Sequence, residues 1–121
     1  MKNENEKIVL SELNENLRKL MSAPSYKLGA YTFDVEKRIL SIGSESVKLT
    51  RKESYLFVVF AGNVNVFLER KDMLVTIWQE DTYYNSRSMD VYICKLRKLL
   101  SKDQKITIIN IHGKGYRLIV S

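Results

Sequence analysis

The chain has a single cysteine, a single proline and a single histidine among its 121 residues. Cys94 by itself cannot close an internal disulfide, so a reducing compartment, the cytoplasm, is the expectation. With His112 as the lone histidine, a His-based metal pair is excluded, and so is a paired-cysteine zinc knuckle. Cys94 and His112 form a nucleophile pair only on paper, because no Gly-rich elbow surrounds the cysteine. Neither an enzyme nor a cofactor is expected. No apolar run approaches the ~20 residues that span a membrane. The opening "MKNENEKIVL" lacks the apolar core of a signal peptide.

What is present suits one globular domain: apolar residues make up 45% of the chain and charged residues 28%. The net charge is +6, and its location says more than its size. Acids and bases balance in residues 1–24 and again in residues 25–84. Residues 85–117 hold eight Lys or Arg against Asp90 and Asp103, so the whole excess sits there. An excess confined to one segment points to a surface built for a polyanion.

The first 24 residues stand apart. "SELNENLRKLM" spaces Leu13, Leu17 and Leu20 as a helical stripe, and "SAPSY" breaks it at Pro24. The stripe suits a linker, the last helix of a neighbouring domain, or a self-association helix. "YKLGAYTFD", "RILSIG" and "SVKLT" alternate as short strands with turn residues between them, predicting a small antiparallel sheet. Thr50 and Glu53 then form a capping box that opens a helix. Val58 and Val59 would also suit a strand, but the cap and the Gly62-Asn63 stop favour the helix. A second helix runs through "ERKDMLVTIW", with Met73, Leu74, Ile77 and Trp78 at packing distance; "QEDTYYNS" connects it to a third. "KITIIN" and "GYRLIV" make a terminal hairpin around "IHGKG".

The third helix is expected from about Asn85 or Ser86 to Leu100. At 100° per residue, Met89, Ile93, Leu96 and Leu100 share a core face. Arg87, Ser88, Asp90, Val91, Cys94, Lys95 and Lys98 fill the opposite arc, with Arg97 at its flank. A basic helix face can be merely a solvated one. This one coincides with the charge excess, and its small residues Ser88, Val91 and Cys94 would allow a close approach to base edges in a major groove. Lys95 could donate to guanine, and Val91 could touch a thymine methyl.

"HGKG" has the look of a nucleotide loop. A phosphate-cradling loop needs a helix after it, and here Tyr116 and the last strand follow. What remains is a turn that presents Lys114 at its tip beside a basic helix.

The stretches "LTRKES", "LERKDMLVTIW", "SRSMDVYICKLRKLL" and "INIHGKGYRL" together resemble the winged-helix DNA-binding domain of OmpR/PhoB-type response regulators, over about residues 26–120. The family's helix pattern matches at Arg87, Asp90, Val91, Ile93, Leu96, Arg97 and Lys98, and its wing pattern at Gly113, Gly115, Tyr116 and Arg117. The resemblance implies an α+β fold: an antiparallel four-stranded N-terminal sheet, three helices and a C-terminal β-hairpin wing, over residues 25–121. It implies sequence-specific binding of double-stranded DNA and control of transcription, with a recognition helix at about 86–100 and a wing at about 111–117. Ser88, Val91 and Lys95 would face bases. Trp78, Arg87, Tyr92, Cys94, Arg97, Lys98, Tyr116 and Arg117 would meet the backbone, with His112 and Lys114 at the wing tip. Gln79, Glu80, Asp81, Thr82, Tyr83 and Tyr84 match a loop that contacts RNA polymerase in some members.

Residues 1–24 would be the linker and the remnant of a receiver domain's final helix, its leucine stripe exposed without its partner. A tandem dimer on DNA and a sensor kinase acting on the missing receiver are implied as well. The chain departs from the common pattern at Cys94 and His112, where basic residues are frequent, at Glu69, which replaces a Ser/Thr cap, and at Val64, which replaces a proline. The alternative is a winged-helix module that docks a protein without touching DNA.

Overall fold

The computed structural model describes residues 14–121. Leu13, the first residue of the expected stripe, lies outside the described residues. Helix α1 (Glu15–Met21) leads into four short strands, β1 (Ser25–Leu28), β2 (Tyr31–Asp34), β3 (Ile39–Ile42) and β4 (Glu45–Lys48). Helix α2 (Arg51–Ala61), strand β5 (Leu68–Glu69), helix α3 (Arg70–Trp78) and helix α4 (Tyr83–Leu99) follow. Strands β6 (Ile106–Ile111) and β7 (Gly115–Val120) end the chain. The first four strands pair antiparallel in the order β1-β2-β3-β4, and the second sheet has the order β5-β7-β6. This is the expected order of helix, sheet, helices and hairpin, with one element added: β5, too short to show as a periodic run.

The N-terminal sheet places Phe33 opposite Leu40 and Leu28 opposite Tyr31, and all four are buried. The burial fades at the edge strand β4, all of whose residues are exposed. The Phe33 ring lies 4.7 Å from that of Phe57 on α2, which ties sheet to helix. Helix α2 opens with the expected box: the Thr50 hydroxyl accepts from the Glu53 amide and the Glu53 carboxylate accepts from the Thr50 amide. Seven consecutive residues, Ser54–Phe60, are buried. An apolar helix hidden on all sides has no polar stripe to betray its period, so Val58 and Val59 were locally ambiguous. The cap at its entry settles it as a helix.

One expectation about the N-terminal residues is corrected. The leucine stripe has a partner: Leu17 is fully buried, and Leu20 packs against the core. The α1 backbone is held as well, since the Tyr26 hydroxyl donates to the Leu20 carbonyl at 2.7 Å. Helix α2 stops at the expected Gly62, whose φ is −82°. A Cβ there would sit 2.3 Å from Leu20 Cδ2. The left-handed residue of that corner is Asn65, at φ 65°.

Asp103 links the two ends of the domain. Its carboxylate accepts from the Ala30 amide at 2.8 Å and from the Lys105 amide at 3.0 Å, joining the β1–β2 turn to the loop before β6. Nearby, the buried Tyr31 hydroxyl accepts from the Lys102 amide, and the Lys102 ammonium pairs with Glu45.

Leu17→Ala is expected to lower the unfolding free energy by about 2–4 kcal/mol, measured by urea denaturation; a loss below ~0.5 kcal/mol would mean that α1 is not docked in solution. The two amides hold the Asp103 carboxyl below its ordinary range. Its contribution is therefore complete above the unfolded value, about 3.9, and is lost as pH falls through the lower folded value. The stability gap between wild type and Asp103→Asn should hold above pH ~5 and shrink below pH ~4. A gap unchanged down to the acid limit would contradict this.

Candidate nucleic-acid interface

Helix α4 begins at Tyr83, two to three residues before the expected Asn85 or Ser86. Thr82 caps it, its hydroxyl accepting from the Asn85 amide at 3.1 Å, while Asn85 Nδ2 donates to the Glu80 carbonyl at 3.0 Å. The connector is corrected accordingly: Gln79, Glu80 and Asp81 are loop, Thr82 is the cap, and Tyr83 and Tyr84 form the first turn of the helix. Their rings contact edge to face and are 74% and 84% exposed. Gln79 ends α3 in the left-handed region, at φ 69°, its amide donating to Val75.

The core face of α4 is as expected, with Met89, Ile93, Leu96 and Leu100 all buried. On the other side Arg87, Val91, Cys94, Lys95, Arg97 and Lys98 are exposed, and Ser88 is half-buried. Asp90, on the same arc, is half-buried and paired. It is the only acid of α4, and its carboxylate accepts from Arg70 Nη2 at 2.7 Å. The same guanidinium donates to Ser86 Oγ at 2.7 Å, to the Ser86 carbonyl at 2.9 Å and to the Tyr116 hydroxyl at 3.1 Å. Burial opposes the Arg70 charge, and the bonds to Asp90 and Tyr116 outweigh it, so its pKa moves above the ordinary arginine value.

Arg70 was not singled out by its sequence neighbours. The signal available was Asp90, a lone acid in a basic helix, which implies a partner.

The wing is built on that centre. The Arg70 amide donates to the Lys114 carbonyl at 2.8 Å, pinning the hairpin to the start of α3. Glu69, expected to cap this helix, makes no side-chain capping bond; it pairs with Gly115 across β5 and β7. A Cβ on Gly115 would lie 2.1 Å from the Leu68 carbonyl oxygen, so glycine is required there by contact rather than by conformation. The tight turn itself is carried by His112 (φ 52°) and Gly113 (φ 71°), with the Lys114 amide donating to the Ile111 carbonyl at 2.9 Å. Asn110 braces it, its Oδ1 accepting from the Gly113 amide at 2.8 Å. His112 and Lys114 are exposed at the tip.

Tyr116, expected at the DNA backbone, is 4% exposed and its hydroxyl accepts from Arg70. Arg117 is half-buried, and its Nε has no partner among the described residues. Arg97 donates through Nε and Nη2 to the Ile108 carbonyl, at 3.3 and 2.9 Å, which fixes α4 to β6. Trp78 is half-buried at the end of α3, its ring 5.8 Å from that of Tyr92 on α4 and nearly perpendicular to it. Lys52 of α2 lies over the Trp78 ring at 5.5 Å, and Lys95 lies over the Tyr92 ring at 5.2 Å. Burial lowers the Lys52 pKa. Among the described residues no group of three His, Cys, Asp or Glu could hold a metal ion, and no helix is long and apolar enough to cross a membrane.

A four-stranded sheet, a three-helix core and a hairpin beside the exposed basic face of the last helix define a winged-helix DNA-binding domain. Residues 43–118 match the family described as "Transcriptional regulatory protein, C terminal". The chain is 56% identical over 94 residues to the transcriptional regulatory protein RprY of Bacteroides fragilis, covering 78% of this chain and 40% of that protein. Its structure resembles the DNA-binding domain of Klebsiella pneumoniae RstA, solved in complex with the RstA box. The TM-score is 0.67 and the identity 25%, over 80% of this chain and 98% of that one. It also shares the fold of DrrB, an OmpR/PhoB homologue of Thermotoga maritima, with a TM-score of 0.68 and 23% identity, over 93% of this chain and 52% of that one. The chain belongs to this transcriptional regulatory family, as a DNA-binding domain of the OmpR/PhoB response-regulator type. It spans 36–48% of the length of the curated relatives it matches.

Arg70→Ala removes the hydrogen bonds that join α3, α4 and β7 and leaves Asp90 without its cation. A loss of about 2 kcal/mol in unfolding free energy is expected, with amide exchange accelerating in β7 as well as in the first turns of α4. Exchange confined to α3 would show that the guanidinium does not couple the wing.

Proposed function

We propose that this domain reads double-stranded DNA by laying α4 in a major groove and reaching the adjacent minor groove with the wing, and so sets transcription of the genes it binds. The observation that carries this is the shared placement of the chain's charge excess. Arg87, Lys95 and Lys98 on α4 and Lys114 on the wing are exposed on two elements held in fixed relation by Arg70 and Arg97. Ser88, Val91 and Lys95 face base edges, where small side chains allow approach and the ammonium donates to guanine. Arg87, Cys94, Lys98, Trp78 and Arg117 border the backbone. Tyr116 acts there through its hydroxyl at most, because its ring is buried. Arg97 contributes the donors that Ile108 does not take.

The activity is binding, with neither catalysis nor a cofactor, in the cytoplasm. Residues 1–24 are the linker from a phospho-acceptor receiver domain, with α1 docked on the core of this domain. The 93% coverage of this chain within DrrB, of which it spans only half, supports this. A sensor kinase acts on that receiver, and two protomers occupy tandem half-sites about one helical turn (~10 bp) apart. The connector Gln79–Thr82 with Tyr83 and Tyr84 contacts RNA polymerase. The two exposed rings favour a protein partner at this corner, and they are also what the protein-docking alternative rests on.

Binding to a duplex selected from a random pool should weaken with salt at a slope of log K near −4 to −5, as ~4–6 neutralised phosphates require. Lys95→Ala should cost about 1–3 kcal/mol and relax preference at one base pair. A slope near zero would remove DNA as the partner. Equal weakening on every sequence would make Lys95 a phosphate contact.

A further inference from the structure

Lysine is a poor reader of bases unless something orders it. Its ammonium sits on a flexible stem, and fixing that stem costs rotamer freedom that a base contact must recover. On α4 the fixing group is Tyr92. Lys95 is three residues on, one turn along the same face, and its ammonium lies 5.2 Å from the centre of the Tyr92 ring. The ring is not free to follow the lysine. It is half-buried, and Trp78 meets it edge to face at 5.8 Å from the end of α3. Trp78 is held in turn by Lys52, whose ammonium lies 5.5 Å from its centre. Three helices thus supply one continuous ladder, Lys52–Trp78–Tyr92–Lys95, that ends on the exposed face. The Tyr92 hydroxyl plays no part in it; the ring face does.

We infer that Tyr92 is a specificity-determining positioning residue: its Trp78-braced ring pre-orders Lys95 over the base edge that Lys95 reads. This rests on the base-facing role proposed for Lys95. It replaces the phosphate contact expected of Tyr92 with a role exerted through Lys95. A phosphate contact would need the hydroxyl and would act on all sequences equally; pre-ordering needs the aromatic face and acts at one base pair.

The two are separated with the full chain and a 20-bp duplex carrying the sequence that wild type selects from a random pool, together with all its single base-pair variants. Lys95→Ala first identifies the base pair that Lys95 reads. Tyr92→Leu should then lose about two- to fivefold of the discrimination at that same base pair, the worth of one exposed cation–π contact, and none elsewhere. Tyr92→Phe should keep it, and Tyr92→Leu should add nothing at that base pair in the Lys95→Ala background. In the free protein, the Lys95 ε-methylene protons should show an upfield ring-current shift in wild type and Tyr92→Phe that is absent in Tyr92→Leu. Tyr92→Met, nearer in volume and also without a ring, replaces Tyr92→Leu if that variant unfolds.

Uniform loss across all duplexes overturns the inference, as does a Tyr92→Phe loss equal to that of Tyr92→Leu, or discrimination that survives removal of the ring. If Lys95→Ala relaxes no base pair, the base-facing role of Lys95 falls and the positioning role falls with it. Failure of Tyr92→Leu alone leaves the base-facing role of Lys95 standing.

Discussion

The Arg70 guanidinium holds helix α4 and the wing in one frame. From the first residue of α3 it bonds Ser86 and Asp90 on α4 and Tyr116 on β7, while its own amide bonds the Lys114 carbonyl at the base of the wing. A planar fork of five donors suits such a junction; a lysine ammonium could not meet partners in three directions with comparable geometry. The ion pair itself is a modest source of stability, since Asp90 is 43% exposed and a charge withdrawn from water is costly. Its value is geometric. For the proposed reading, α4 and the β6–β7 hairpin must keep their spacing to within the tolerance of a duplex, and Arg97, bonded to Ile108, closes the same frame from the other end of the helix.

Around this frame the fold divides its work. The buried helix α2 and the four-stranded sheet supply the apolar platform, and α1 adds Leu17 and Leu20 to it. That docking places whatever precedes α1 in register with the helices that carry the interface. The basic face can then remain nearly free of acids, because the one acid in α4 is consumed by Arg70. The charge excess of residues 85–117 is thereby delivered to the surface almost undiluted.

Much of this was legible along the chain because it depends on neighbours in sequence. The Thr50–Glu53 box, the 100° periodicity of Met89, Ile93 and Leu96, and the alternation in the N-terminal strands are local patterns, and each element formed where its pattern stood. The boundary of α4 was missed by two to three residues because Thr82 acts as its cap while "TYYN" resembles a polar connector. Gly62 and Gly115 were correctly seen as special, but their reason is a close approach, by Leu20 and by Leu68, that no local pattern encodes. The burial of Tyr116 had no local signal, because it follows from the β5–β7 pairing, between residues nearly fifty positions apart.

The sequence by itself determined the element order apart from β5, the core face of α4 and the concentration of positive charge in the last third. These follow from periodicity, capping and composition, which act over a turn or two of chain; the winged-helix family followed from the resemblance of its motifs. Only the tertiary structure decided that Asp90 is bound to Arg70 rather than standing as an unpaired acid beside the basic face. It likewise decided that Arg70 is the junction, that α1 is docked, and that Tyr92 sits between Trp78 and Lys95. Each of those depends on side chains brought together from separate elements, where burial and hydrogen-bond geometry, rather than spacing along the chain, select the partner.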